Sequence, residues 1–364
     1  MKILHVLPPF GHISIKESYI RFINENFDSE MHYYTIIGAS NNNLGNITRI
    51  DNKNIKFFDS YRKNLLEITS LFLKFDKVIY HELSIPTKVK IFFLLNPLIM
   101  KKIVWIAWGS DLYQWKKVNS NFKNRVRNII EYTFRKKIKF FVGIFPPDIY
   151  HFKKNFKSKA QTFYASYVVG LYNPLYKKKL NLITLNEKRI KKDCINIQVG
   201  HKCMSILNHM EVLENLAKFK DENIKIYIPL SYRNKEYGDK VEEKAKILFG
   251  YKAISIREMM DMEDYMDFLS TIDIAIFNTS RQIGLGNINP LLYMEKKVFM
   301  PAGSVMYDYF NSLGINICDY AQIQKIDFGS FIESIDMTKA KQHVAYEATN
   351  KNKKIKMWSK VFNA

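Results

Sequence analysis

At 364 residues, with 47% apolar residues, 14 Gly and 10 Pro, the chain is too long for one ordinary hydrophobic core, and it is neither collagen-like nor disordered in composition. Its three cysteines, Cys194, Cys203 and Cys318, form no CxxC or Cys/His ligand pattern, which fits a reducing compartment and argues against a disulfide framework or structural zinc. The net charge of +21 is uneven: residues 1–180 hold 30 Lys and Arg against 12 Asp and Glu, whereas residues 181–364 hold 26 against 23, so an anionic partner is expected at the first half.

In chain order, the first apolar run at 2–7 reads as a buried strand that ends at Pro8 and Pro9, with no cleavage site of a signal peptide after it. A Pro/Gly loop at 8–12 and a helix from about 15 to 26 follow. Further strands are expected at 31–37, 77–80, 103–107 and 139–142, with helix-period segments at 65–73 and 122–134 between them. The nearest approach to a membrane span, 91–108, is broken by Asn96, Pro97, Lys101 and Lys102, so a soluble or peripheral protein is expected. The alternation weakens at 171–193, a Lys- and Asn-rich stretch that reads as a linker. Beyond it come strands at 194–199, 224–230, 272–277 and 298–300, helices at 207–219, 235–249, 263–269 and 281–294, and a helical segment at 338–362. Alternation of this kind predicts α/β domains with parallel sheets, at 1–170 and 194–337, followed by a C-terminal helical segment at 338–364.

Four clusters carry chemistry. Residues 278–287 follow a strand and open a helix, where phosphates bind in α/β folds because free N–H groups and a positive helix end face the ligand. Gly284 and Gly286 would let a diphosphate approach the backbone, and Arg281 would clamp it, with Gln282 and Asn287 beside them. A plain Gly-rich turn is the alternative. At the strand ends Gly200-His201 and Pro229-Leu230-Ser231-Tyr232, a nucleotide would lie against Gly200 and His201, with Tyr232 stacking on its base; the alternative is a strand-to-helix turn. In Trp105-Ile106-Ala107-Trp108-Gly109-Ser110-Asp111-Leu112-Tyr113, aromatic faces would stack on sugar rings and Asp111 would grip hydroxyls or take a proton, unless it only caps a helix. Gly11-His12 and His81-Glu82 lie after first-half strands, where an acceptor would be met, although a lone His is more often structural.

Trp108-Gly109-Ser110-Asp111-Leu112-Tyr113 resembles the WG-A/S-DLY segment of the TDP-N-acetylfucosamine:lipid II N-acetylfucosaminyltransferases, glycosyltransferase family 56. Val199-Gly200 with Asn208-His209, Pro229 with Tyr232, and Arg281-Gln282-Ile283-Gly284-Leu285-Gly286 are similar to further blocks of that family in the same order. Departures are His201 for Asn, Ser231 for Gly, and Glu82 after His81. The resemblance runs from about residue 2 to residue 311.

The resemblance implies the GT-B fold: two doubly wound Rossmann-like domains with a cleft between them and a C-terminal helix. It also implies an inverting enzyme that needs no cofactor or metal, and no DxD pair occurs in the sequence. The donor would be a nucleoside-diphosphate sugar, dTDP- or UDP-linked, and the acceptor a polyprenyl-pyrophosphate glycan of bacterial surface polysaccharide synthesis. On this reading Asp111, or else His12, is the catalytic base. Gly200, His201, Pro229, Ser231, Tyr232, Arg281, Gln282, Gly284, Gly286 and Asn287 hold the donor, and Gly11, His81, Trp108 and Tyr113 meet the acceptor. The protein would sit peripherally on the anionic cytoplasmic face of the inner membrane, with no nucleic acid bound. A sugar-nucleotide epimerase of the same fold and a basic nucleic-acid-binding protein are the competing readings.

Overall fold

The computed structural model describes residues 1–9, 13–38, 54–118, 121–172, 194–231 and 234–364. The chain divides into two compact units, Met1–Tyr172 with Asn350–Ala364, and Asn173–Thr349.

In the first unit seven parallel strands form one sheet: β1 (Ile3–Leu7), β2 (His32–Ile37), β3 (Ile55–Phe58), β4 (Lys77–His81), β5 (Ile103–Ala107), β6 (Phe140–Gly143) and β7 (Gln161–Tyr164), ordered β3-β2-β1-β4-β5-β6-β7. The central strands β1, β4 and β5 are buried along their whole length, as strands covered on both faces must be. Side chains alternate between two cores. Leu4, Val6, Val78, Tyr80 and Trp105 point to one, with helices Tyr61–Leu73, Thr87–Leu94 and Phe122–Lys137. Ile3, Leu7, Ile79, Val104 and Ile106 point to the other, with helices Ile13–Asn26 and Lys351–Asn363.

The helical segment expected at 338–364 is two helices, Thr338–Thr349 and Lys351–Asn363. Asn350 separates them and caps the second, its side chain accepting from Lys353 N. The first belongs to the second unit and the last belongs to the first. There Lys354 Nζ donates to Ser166 Oγ (2.9 Å) and Tyr167 O (3.1 Å), Trp358 Nε1 donates to Ser166 O (3.3 Å), and Lys77 Nζ reaches the Val361 and Phe362 carbonyls.

The second unit has a six-stranded parallel sheet: β8 (Ile195–Val199), β9 (Ile224–Pro229), β10 (Ala253–Ile256), β11 (Ile274–Ile276), β12 (Lys297–Met300) and β13 (Cys318–Asp319), ordered β10-β9-β8-β11-β12-β13. Strand order reverses between β1 and β4 in the first sheet and between β8 and β11 in the second. At such reversals the loops at the carboxyl ends splay apart and leave a crevice for a ligand. Among the described residues no helix is long and apolar enough to cross a membrane. The expected linker lies outside the described residues apart from 171 and 172.

Candidate active site

The second reversal is ringed by buried polar side chains. Gly200 follows β8, and its N–H donates to Ile276 O (2.9 Å), which closes it onto the neighbouring β11. With φ +65 it lies so near His209 that a Cβ would stand 2.5 Å from Nε2. Gly284, at φ +78, presses the same way on His201. Both positions demand glycine, for backbone conformation and for space.

The imidazoles they cover are neutral. Burial holds His201 well below the usual histidine range, with Lys202, His209 and Arg281 adding to the effect. Burial alone brings His209 down to about 4. His201 Nδ1, His209 Nε2, Thr279 Oγ1 and Gln282 Oε1 are all buried and have no hydrogen-bond partner among the described residues. Buried polar atoms are nearly always paired, so four such atoms around one strand reversal mark a surface shaped for a polar ligand. Arg281 is buried in the same loop. Helix Leu285–Tyr293 begins immediately after Gly284 with no side-chain cap, so its positive end is open.

The expected donor residues therefore meet in part. Gly200, His201, Arg281, Gln282 and Gly284 converge at the β8/β11 reversal. Gly286 lies in the first turn of the open helix, where a Cβ would meet nothing within 4 Å. Pro229 ends β9 next door, with Ser231 half-buried beyond it. Asn287 is committed elsewhere: its Oδ1 accepts from the Tyr265 hydroxyl, which ties the helix to Met262–Thr271. Tyr232 lies outside the described residues.

In the first unit, three of the expected residues take different roles. The Asp111 carboxylate is buried and accepts three N–H bonds, from Leu83 N (3.0 Å) and Trp105 Nε1 (2.6 Å) at Oδ2 and from Trp108 N (2.9 Å) at Oδ1. Burial pushes its carboxyl up, against the pull of those donors and of Arg135. These bonds tie the segment after β4 to β5 and the turn that follows it. His81 is fully buried because strand alternation turns it toward helices Ile13–Asn26 and Lys351–Asn363. The Tyr113 hydroxyl donates to Asp148 Oδ1 (2.8 Å). Gly11 and His12 lie outside the described residues.

His81 instead stands in the middle of a buried chain. Trp108 Nε1, a donor only, bonds Tyr167 Oη (2.8 Å), and the Tyr167 hydroxyl pairs with His81 Nδ1. His81 Nε2 pairs with His5 Nδ1 (3.3 Å), and His5 Nε2 with His32 Nδ1 (2.9 Å). Burial keeps all three rings neutral. Burial first, then His32 and His81, keeps His5 well below the usual range. Burial brings His81 to about 3 and His32, against Asp28, to about 4. The chain fixes the half-buried Trp108 ring at the carboxyl end of β5.

Glu82, which the sequence sets beside His81 after a first-half strand, stands at this edge. Glu82 follows β4 at φ 72, a left-handed conformation that is rare for Glu, and its Oε1 accepts from Ser110 Oγ (3.1 Å). It is half-buried beside the strand reversal. Backbone strain of this kind gathers at functional sites. The sequence marks it by its place at the end of a strand and by its departure from the family pattern. Among the described residues no three His, Cys, Asp or Glu side chains stand together as metal ligands would.

Two doubly wound units, one carrying a polar loop and an open helix end at its strand reversal, have the fold of the GT-B glycosyltransferases. A glycosyltransferase from Rickettsia africae ESF-5 has the same fold at 16% identity, with a TM-score of 0.64 over 99% of this chain and 97% of that one. Anabaena Alr3699/HepE, solved in complex with UDP and with UDP-glucose, matches over 100% of both chains at 8% and 9% identity, with a TM-score of 0.67 in each case. Residues 76–300 match the sequence model of the 4-alpha-L-fucosyltransferase family, glycosyl transferase group 56, and the chain belongs to that family.

Proposed function

We propose that the protein transfers a deoxy- or acetamido-sugar from a dTDP- or UDP-linked donor to a polyprenyl-pyrophosphate-linked glycan, with inversion, in bacterial surface polysaccharide synthesis. The observation that carries the donor half is the loop 278–284, with Arg281 and Gln282 buried beside His201 and the uncapped helix Leu285–Tyr293 leading away from it. Arg281 and the helix end offset the charge of the departing diphosphate, so the reaction needs no metal. That the Anabaena relative of this fold was solved with UDP supports a nucleoside-diphosphate donor.

The first unit supplies the acceptor half. The acceptor oxygen bonds to the anomeric carbon as the bond to the terminal phosphate oxygen breaks. The electron pair leaves with the nucleoside diphosphate, and the hydroxyl proton passes to Glu82. Asp111 is a positioning residue that holds Trp105 and Trp108, and Trp108 packs against the glycan. The basic balance of residues 1–180 suits an acceptor carrying pyrophosphate, met at the cytoplasmic face of the inner membrane.

A thermal-shift series with dTDP, UDP, GDP and CMP tests the donor half, since a ligand that binds only the folded state raises the melting temperature. Stabilisation by dTDP or UDP is expected, and no shift with any of the four overturns the reading.

A further inference from the structure

Three helices on one face of the first sheet bury apolar side chains in the core and expose others. Helix Thr87–Leu94 packs against both Pro97–Met100 and Phe122–Lys137. On Phe122–Lys137 the exposed apolar residues Phe122, Val126 and Ile129 fall at i, i+4 and i+7, one stripe of the helix. Phe122 is 83% and Ile129 66% exposed, whereas the helix turns Glu131 and Arg135 inward. Along the adjoining helices Ile91, Leu95 and Leu98 are also exposed, Leu95 at 79%. An ordinary surface helix keeps its outer face polar.

The charge of this surface has one sign. The three helices hold a single acidic residue, Glu131, buried between Lys90 Nζ (2.8 and 2.7 Å) and Arg135. Around the apolar stripe Lys88, Lys101, Lys123, Arg125, Lys136 and Lys137 are exposed. Apolar side chains in a basic ring complement a surface that is anionic outside and apolar within. A small hydrophilic anion would meet the charges but leave the stripe wet, and duplex nucleic acid offers no apolar layer.

We infer that this helical face docks on an anionic lipid bilayer, with Phe122, Ile129 and Leu95 entering the headgroup–acyl boundary and the surrounding Lys and Arg meeting lipid phosphates. The inference rests on the reading of a lipid-linked acceptor for its purpose, and it names the element that meets the membrane.

Flotation of the full chain with vesicles tests it, comparing equal parts phosphatidylglycerol and phosphatidylcholine with phosphatidylcholine alone. Binding to the anionic vesicles only, weakening as salt rises, is expected. The combined Leu95→Ser, Phe122→Ser and Ile129→Ser variant should bind at least about tenfold more weakly, because it removes three side chains that would leave water. Lys123→Gln and Arg125→Gln should each weaken binding about fivefold. These positions are exposed, so melting temperature and dTDP affinity should stay unchanged in all the variants. Equal binding to neutral vesicles, or full binding by the triple-Ser variant, overturns the inference. So does duplex DNA binding at matched salt, or self-association by sedimentation that the triple-Ser change abolishes, when vesicle binding is absent. Failure of the native chain to bind any nucleoside diphosphate would count against the transferase reading and leave the flotation result to stand or fall by itself.

Discussion

A Cβ added to Gly284 would lie 2.8 Å from Cε1 and 2.9 Å from Nδ1 of His201, so the loop that carries Arg281 closes directly over the histidine that follows β8. The contact couples two segments more than eighty positions apart at one strand reversal. Gly284→Ala is expected to lower stability by about 1–2 kcal/mol from the positive φ alone. It should also move His201 and cut nucleotide affinity at least tenfold. Thermal melting and calorimetry check both, and an unchanged melt with unchanged affinity would remove the contact from the site.

Arg281→Ala is expected to weaken nucleoside-diphosphate binding by about 1.5–3 kcal/mol, the range for a hydrogen bond to a charged group. The motive is its burial in the loop before the open helix end. Calorimetry with the diphosphate and with the corresponding nucleoside separates the charge from the base. An equal loss for both ligands would argue for loop collapse instead of a lost phosphate contact.

Asp111 and Glu82 should part in their behaviour. Asn at 111 supplies one acceptor oxygen where three N–H groups converge and turns an NH₂ toward a donor, so Asp111→Asn should destabilise by about 1–3 kcal/mol. Glu82→Gln should fold and bind donor normally but lose about 10²–10⁴ in kcat. Urea unfolding and a transfer assay on both variants decide. A stable Asp111→Asn protein with a collapsed rate would return the base to Asp111.

Stability should fall on acidification below neutral pH. His5, His32, His81, His201 and His209 all have folded pKa values below the unfolded 6.5, chiefly through burial. Between about 4 and 6.5 the unfolded chain therefore binds more protons, and the native state loses ground as pH drops through that window. Asp148 opposes this. Burial pushes its carboxyl up to about 7, so between pH 4 and 7 the folded chain holds a proton that the unfolded chain has lost. Asp148→Asn should steepen the acid loss by about 1.4 kcal/mol per pH unit. Urea midpoints from pH 7 to 5 test both statements; a flat wild-type profile, or a variant no steeper than wild type, contradicts them.

Transfer activity is expected to survive EDTA, because Arg281 and the end of helix Leu285–Tyr293 are proposed to carry the charge of the leaving group. Activity lost on chelation and restored by magnesium or manganese would replace that mechanism.

The central strands of both sheets were legible from residue order. β1, β4 and β5 are covered on both faces and so appear as short continuous apolar runs. The four strands without such a run, β3, β7, β10 and β13, are the four sheet edges, where one side is half-wet and the pattern fades. The turn and helix start at 284–285 were legible too, because glycines, an arginine and a helix start lie within ten residues and their relation is local.

What residue order alone could not decide was which polar side chains face a ligand. Asp111 and His81 sit in suggestive motifs, yet Asp111 is consumed by N–H groups from positions 83, 105 and 108, and His81 by His5 and Tyr167. Glu82 is set apart by its backbone angle and its exposure, neither of which a residue type reveals. Nor does the sequence show that the last helix returns to the first sheet, where Lys354 and Trp358 bond residues 166 and 167. Local spacing writes strands, caps and phosphate loops into the sequence. Burial and hydrogen-bond partners are settled by segments far apart in the chain, and only the folded structure brings those together.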